Sequence, residues 1–173
     1  MKKVSLLLLS LFCFIVSSYS QLVLADRQQG QDIFPIVASA SNAVVCYDKS
    51  DAEVVKKSAK LFVEDVERVT GKRLKAKEKI SSDRNIVLVG TIGKNRYIDQ
   101  LVARNKLDIS QIKHGWEQYV ITIVNNPFAG VEKALVIAGC DRRGTSYGLF
   151  SISETIGVSP WYWWADAPVI KKK

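Results

Sequence analysis

The 173-residue chain predicts an α/β fold of the layered α+β kind, a mixed β-sheet with helices packed on it in the order β-β-α-β-α-β-β-α. Three observations predict it. Continuous apolar runs at 85–90 and 133–139 end in Gly90 and Gly139, the pattern of strands buried on both faces. An alternating, β-branched run at 117–124 precedes the second of them across Asn125-Asn126-Pro127, so a tight turn there makes that pair antiparallel and the sheet mixed. Between the strands, apolar residues recur at helical spacing.

Residues 34–38 and 43–47 are short β-prone runs with a Ser-Asn turn between them. Ser50 or Asp51 suits a helix cap, with Glu53 close behind. Val54, Val55, Ala59, Phe62, Val63, Val66 and Val69 then follow a helical stripe, and Gly71 stops it because glycine takes a left-handed conformation freely. After the strand at 85–90, Thr91-Ile92-Gly93-Lys94 leads to a helix over 95–104. The last helix spans 144–156, with Tyr147, Leu149, Phe150, Ile152 and Ile156 on its apolar side. The domain therefore occupies 34–157, enough for one core.

The ends differ from the body. Lys2 and Lys3, an apolar run at 4–16 and Ser18-Tyr19-Ser20 predict a signal peptide over 1–20, a flexible leader over 21–33 and export to the periplasm or the extracellular space. A run of that length is short for a bilayer span, so no membrane association is expected after cleavage. Five of the 25 basic residues are terminal lysines, which leaves 20 against 17 acids, the balance of an ordinary soluble surface. The cluster Lys72, Arg73, Lys75, Lys77 and Lys79 has no interleaved aromatic residue, so it suits a solvated loop or edge strand better than a nucleic-acid surface.

Chemistry is sparse. A single histidine, His114, without cysteine neighbours gives no metal-ligand spacing, and no cofactor motif is present. Gly90-Thr91-Ile92-Gly93-Lys94 lacks the spacing and the hydroxyl residue of a phosphate loop, and is a strand-to-helix turn. Cys46 and Cys140 each follow an apolar run and suit buried thiols, with a bridge between them the alternative. No catalytic residue is assigned: no Ser-His-Asp triad is arguable around the single histidine, and Asp141, Glu154 and Asp166 form no obvious acid pair.

Two groups are candidates for substrate binding or a domain interface. Asp141, Arg142 and Arg143 lie between a strand's end and a helix's start, where a forked arginine can grip a carboxylate or the aspartate can cap the helix. Trp161, Trp163 and Trp164 hold three of the four tryptophans in a segment, 158–173, bracketed by Pro160 and Pro168. If extended, its rings alternate sides and either stack on sugars or wedge against another domain.

The stretch Ala138-Gly139-Cys140-Asp141-Arg142-Arg143-Gly144-Thr145-Ser146-Tyr147-Gly148, followed by Ile156-Gly157-Val158-Ser159-Pro160-Trp161-Tyr162-Trp163-Trp164-Ala165-Asp166, resembles the N-terminal region of glycoside hydrolase family 115. The strand at 87–91 and the helix around Glu64, Val66, Val69, Thr70 and Gly71 fit the same region, so the resemblance covers about 34–170. It implies a xylan α-1,2-glucuronidase in which this α/β domain precedes a catalytic (β/α)8 barrel. The expected partners are that barrel, in cis or from a split gene, and acidic xylan side chains. The resemblance carries over no catalytic acid, and 158–173 becomes an aromatic linker towards an absent barrel. The expected function is thus a non-catalytic domain of a secreted glucuronidase, truncated and inactive alone. The alternative is a stand-alone carbohydrate-binding or interaction module derived from such an enzyme.

Overall fold

A computed structural model of the protein describes residues 33–162 and 164–171. The expected signal peptide and Trp163 lie outside the described residues. The elements are β1 (Val44–Cys46), α1 (Glu53–Thr70), β2 (Lys75–Lys77), β3 (Asn85–Thr91), α2 (Arg96–Ala103), β4 (Tyr119–Asn125), β5 (Lys133–Gly139) and α3 (Arg142–Ile156). They build one five-stranded sheet in the order β2-β1-β3-β5-β4. Four strands are parallel, and β4 runs antiparallel to β5 in unbroken register from Tyr119 opposite Gly139 to Asn125 opposite Lys133.

Side chains alternate across a strand, so each strand feeds two cores. Val45, Val87, Val89, Leu135 and Ile137 pack with Phe62, Val66, Leu149 and Ile152 of α1 and α3. Cys46, Ile86, Leu88, Val136 and Ala138 pack with Ile98 and Leu101 of α2, and with Leu107 beyond it. This two-sided coverage is why β3 and β5 are apolar throughout. Each large side chain fully buried in this way contributes about 1.5–3 kcal/mol. Among the described residues no helix is long and apolar enough to cross a membrane.

The class, the mixed sheet and the five strands and three helices are as expected, but one strand is in a different place. Residues 34–38 form no strand: Phe34, Ile36 and Val37 pack against the α1/α3 core, and one backbone bond, Ala43 N–H to Ile36 O (3.0 Å), ties the segment to the domain. Pro35 there has no N–H to give a ladder. The missing strand is instead β2, Lys-Ala-Lys, which pairs with β1 at the sheet's edge. Neither Ser50 nor Asp51 caps α1 through its side chain. The cap is Ala52, while Asp51 accepts from Ala52 N–H and, 40 residues away, from Thr91 N–H (both 2.8 Å). Gly71 does end α1, at φ 70°. Cys46 and Cys140 are both free thiols, and Cys46, buried on β1, has its thiol pushed up to about 12 by that burial.

α3 lies close over the start of β4 because glycines face it. A methyl group on Gly144 would stand 2.3 Å from Gln118 O, and one on Gly148 would meet Ile137 and the Tyr119 ring at 2.8–3.0 Å. Gly144→Ala therefore sets a gain in helix propensity of about 1 kcal/mol against a clash with backbone. The clash should win by about 1–3 kcal/mol, read as a lower urea midpoint, because the Gln118 carbonyl is held by the Cys140 N–H (2.9 Å) and cannot rotate away without losing that bond. Ser151→Ala, where propensity acts alone, should leave the midpoint unchanged or slightly raised.

Candidate functional site

The first candidate group sits where α3 begins. Asp141 caps the helix: Oδ1 accepts from the Arg143 and Gly144 N–H groups at 2.9 and 2.8 Å. Its Oδ2 accepts from Glu117 N–H at 2.8 Å. Glu117 is held at φ +57°, a left-handed conformation uncommon for a residue with a side chain. Its carboxylate Oε1, closed off from solvent, lies 2.8 Å from Arg143 Nη1, close but outside hydrogen-bond alignment. Arg143 also donates to the Tyr147 hydroxyl (3.2 Å). The guanidinium stands 6.0 Å from the ring centres of both Trp116 and Tyr147, at the limit of cation–π range. Trp116 is 78% exposed. Arg142 is exposed and makes no ion pair or side-chain hydrogen bond among the described residues.

Trp116, Glu117 and Tyr147 were not candidates on sequence, and the structure adds them. The available signal was a tryptophan directly before a β-branched strand, isolated from the other three. Its link to Arg143, 27 positions on, depends on β4 and β5 being neighbours. The helix N-terminus itself is already occupied, because the Asp141 carboxylate takes the N–H groups that would hold an incoming anion.

The loops after the parallel strands are bound to one another. Thr91 Oγ1 lies 3.0 Å from Thr145 Oγ1, and Thr145 also bonds Asp141 O at 2.9 Å. Ser50 Oγ donates to Lys94 O (3.1 Å). Buried Asn95 caps α2 with its carbonyl and donates to Val89 O (2.9 Å). Asp48 accepts from Ser50 and has Arg96 Nε at 3.1 Å from its other oxygen. Asp48, Asp51 and Asp141 are thus engaged in holding loops. Among the described residues no group of three His, Cys, Asp or Glu side chains could hold a metal ion.

The tryptophan segment is elsewhere. α3 has 15 residues, about 22 Å at 1.5 Å each, and the segment follows its far end. Arg143 and Trp161 therefore do not meet in one site. The segment is not extended: Tyr162 N–H bonds Ser159 O, and Trp164 and Ala165 N–H both bond Trp161 O. It folds back, with Tyr162 under the Arg68 guanidinium at 5.2 Å, Val169 against the core and Ile170 N–H on Gly157 O (3.0 Å). Trp161 and Trp164 stay 66% and 85% exposed.

Burial resists ionisation of Asp141, but the N–H groups of Gly144, Glu117 and Arg143 and the Cys140 thiol outweigh it and hold the carboxyl below its ordinary range. A carboxyl lowered in the folded state stabilises above its unfolded value, about 3.9, and that stability is lost as pH falls through the folded value. Asp141→Ala should cost about 1 kcal/mol at neutral pH, as lost caps do. Asp141→Asn should keep the two bonds to α3, lose the one from Glu117 N–H, and make the acid limb of stability shallower below about pH 4, followed by urea unfolding against pH.

No protein-family model and no curated protein matches the chain. Among solved structures, the chain is similar to a family GH115 4-O-methyl-α-glucuronidase with specificity for decorated arabinogalactans, at 31% identity and a TM-score of 0.60 over 75% of this chain. A second structure, of CpGH84D, aligns over 66% of this chain and 17% of that one at 16% identity and a TM-score of 0.48. The chain spans 15% of the length of the glucuronidase, so what it shares with that enzyme is one GH115-like domain.

Proposed function

We propose that the chain is a non-catalytic domain of a secreted α-glucuronidase-type glycoside hydrolase, placed N-terminal to a catalytic (β/α)8 barrel. The observation that carries this reading is the 31% identity to a GH115 enzyme over three quarters of the chain but only 15% of that enzyme. The loop chemistry supports it. Glycoside hydrolysis needs two carboxyl groups free to exchange protons across one bond. Asp48, Asp51 and Asp141 are each bound to backbone N–H groups instead. The substrate of the whole enzyme would be a polysaccharide bearing glucuronate or its 4-O-methyl ether. Glucuronoxylan is the form implied by the sequence resemblance, and decorated arabinogalactan the form acted on by the similar enzyme. Trp161 and Trp164 would face the barrel, since each large ring carries roughly 150–250 Å² that favours burial.

A second reading, a stand-alone carbohydrate-binding module, is favoured by one observation: Trp116 and Tyr147 are exposed beside Arg143. Retardation in gels containing acidic but not neutral polysaccharide, abolished by Trp116→Ala, would select it.

The purified chain should release no glucuronate or 4-O-methylglucuronate from glucuronoxylan or from decorated arabinogalactan, and a barrel supplied in trans should bind it. Release that scales with protein and disappears in Asp166→Asn would overturn the non-catalytic assignment.

A further inference from the structure

The two edges of the sheet are built differently. β2 closes one edge with three residues, two of them lysines, and Lys77 is pinned to Asp83 at 2.9 Å. Short length and lysine are the devices by which natural sheets prevent edge-to-edge pairing. β4 closes the other edge with seven residues, Tyr-Val-Ile-Thr-Ile-Val-Asn. It contains no charge, no proline and no glycine, and its register against β5 runs without a bulge. Val120, Ile121, Thr122 and Ile123 are half-buried. Among the described residues only β5 pairs with β4. Residues 106–112 pass beside it but leave a groove of about 340 Å³, lined on the strand's side by Tyr119, Val120 and Thr122.

We infer that the free edge of β4 pairs antiparallel with the β4 of a second copy of this chain, joining two five-stranded sheets into one. A second copy is favoured because the strand is self-complementary. Pairing about a two-fold axis at Thr122 sets Ile121 opposite Ile123, Val120 opposite Val124 and Tyr119 opposite Asn125. Every pair is apolar or neutral, and no like charges meet. A two-fold contact also closes on itself, consuming both edges and leaving no further template. The paired length, about 23 Å for seven residues at 3.3 Å each, belongs to the small, weak class of interfaces. The dimer should therefore form in the micromolar range.

Sedimentation equilibrium of the secreted chain from about 1 to 200 μM tests this, with mass rising towards twice that of the monomer. Thr122→Lys puts two like charges opposite each other and should weaken association about tenfold or more. Thr122→Val should preserve it. Trp161→Ala with Trp164→Ala should also leave it unchanged, which separates the strand edge from the aromatic tail. Hydrogen exchange of wild-type protein provides a readout independent of whether a variant folds: protection of β4 amides should rise with protein concentration. A monomer throughout the range would overturn the proposal. So would a dimer that survives Thr122→Lys and dissolves on loss of the two tryptophans. None of these outcomes depends on glucuronidase activity or on a barrel.

Discussion

One carboxylate organises the junction of α3 with the start of β4. Asp141 accepts three backbone N–H groups, two that begin α3 and one, Glu117, that leads into β4. It thus fixes the direction of α3 and the path of the chain into the edge strand with the same side chain. The left-handed turn at Glu117 is compatible with folding because that N–H has a charged acceptor waiting. Once the turn is set, Glu117 lies against Arg143, and Arg143 stands between Trp116 and Tyr147. Gly144 completes the arrangement, since any side chain there would displace Gln118.

Rigidity at the carboxyl end of the sheet has a chemical consequence. In open α/β sheets this is where ligands gather, because loops diverge there and leave a crevice. Here the loops converge: Asp51 reaches Thr91, Thr91 meets Thr145, and Ser50 meets Lys94. The polar groups that could bind a substrate in a crevice instead bind one another. What remains for recognition lies outside that network, on the aromatic and arginine side chains at its rim.

The sequence made the sheet and helices legible where burial was two-sided. β3 and β5 are apolar on both faces, and the stripe of α1 repeats at 3.6 residues, so packing and pattern agree. It misled where pattern and pairing diverge. Residues 34–38 are apolar because they cover a core, and Pro35 keeps them off a ladder. The basic cluster around Lys75 and Lys77 suits a loop and an edge strand alike, and Lys-Ala-Lys becomes a strand because β1 offers it a partner. The candidate site was half legible for the same reason. Asp141 and its arginines are local and follow from helix-start chemistry. Trp116, Glu117 and Tyr147 join them through the β4–β5 pairing and the close approach of α3, which no local pattern encodes. Asp51 suited a cap by position, yet half of its carboxylate serves Thr91, a contact visible only in three dimensions.

The separation of the two aromatic groups constrains any larger assembly. α3 puts about 20 Å between Arg143 and the start of the tryptophan segment, and the segment is anchored to its own domain by Tyr162, Val169 and Ile170. Trp161 and Trp164 are therefore presented from a folded base, which lowers the entropy lost when a partner covers them. The Trp116–Arg143–Tyr147 corner is likewise preorganised, by Asp141 and Glu117. A single partner touching both would have to span the length of α3, whereas two partners could act without interference. The free edge of β4 adds a third direction, along the sheet's hydrogen bonds, distinct from both ends of the helix. One small domain thus offers three separable surfaces. Each can be altered by substitutions that leave the buried contacts of the other two intact.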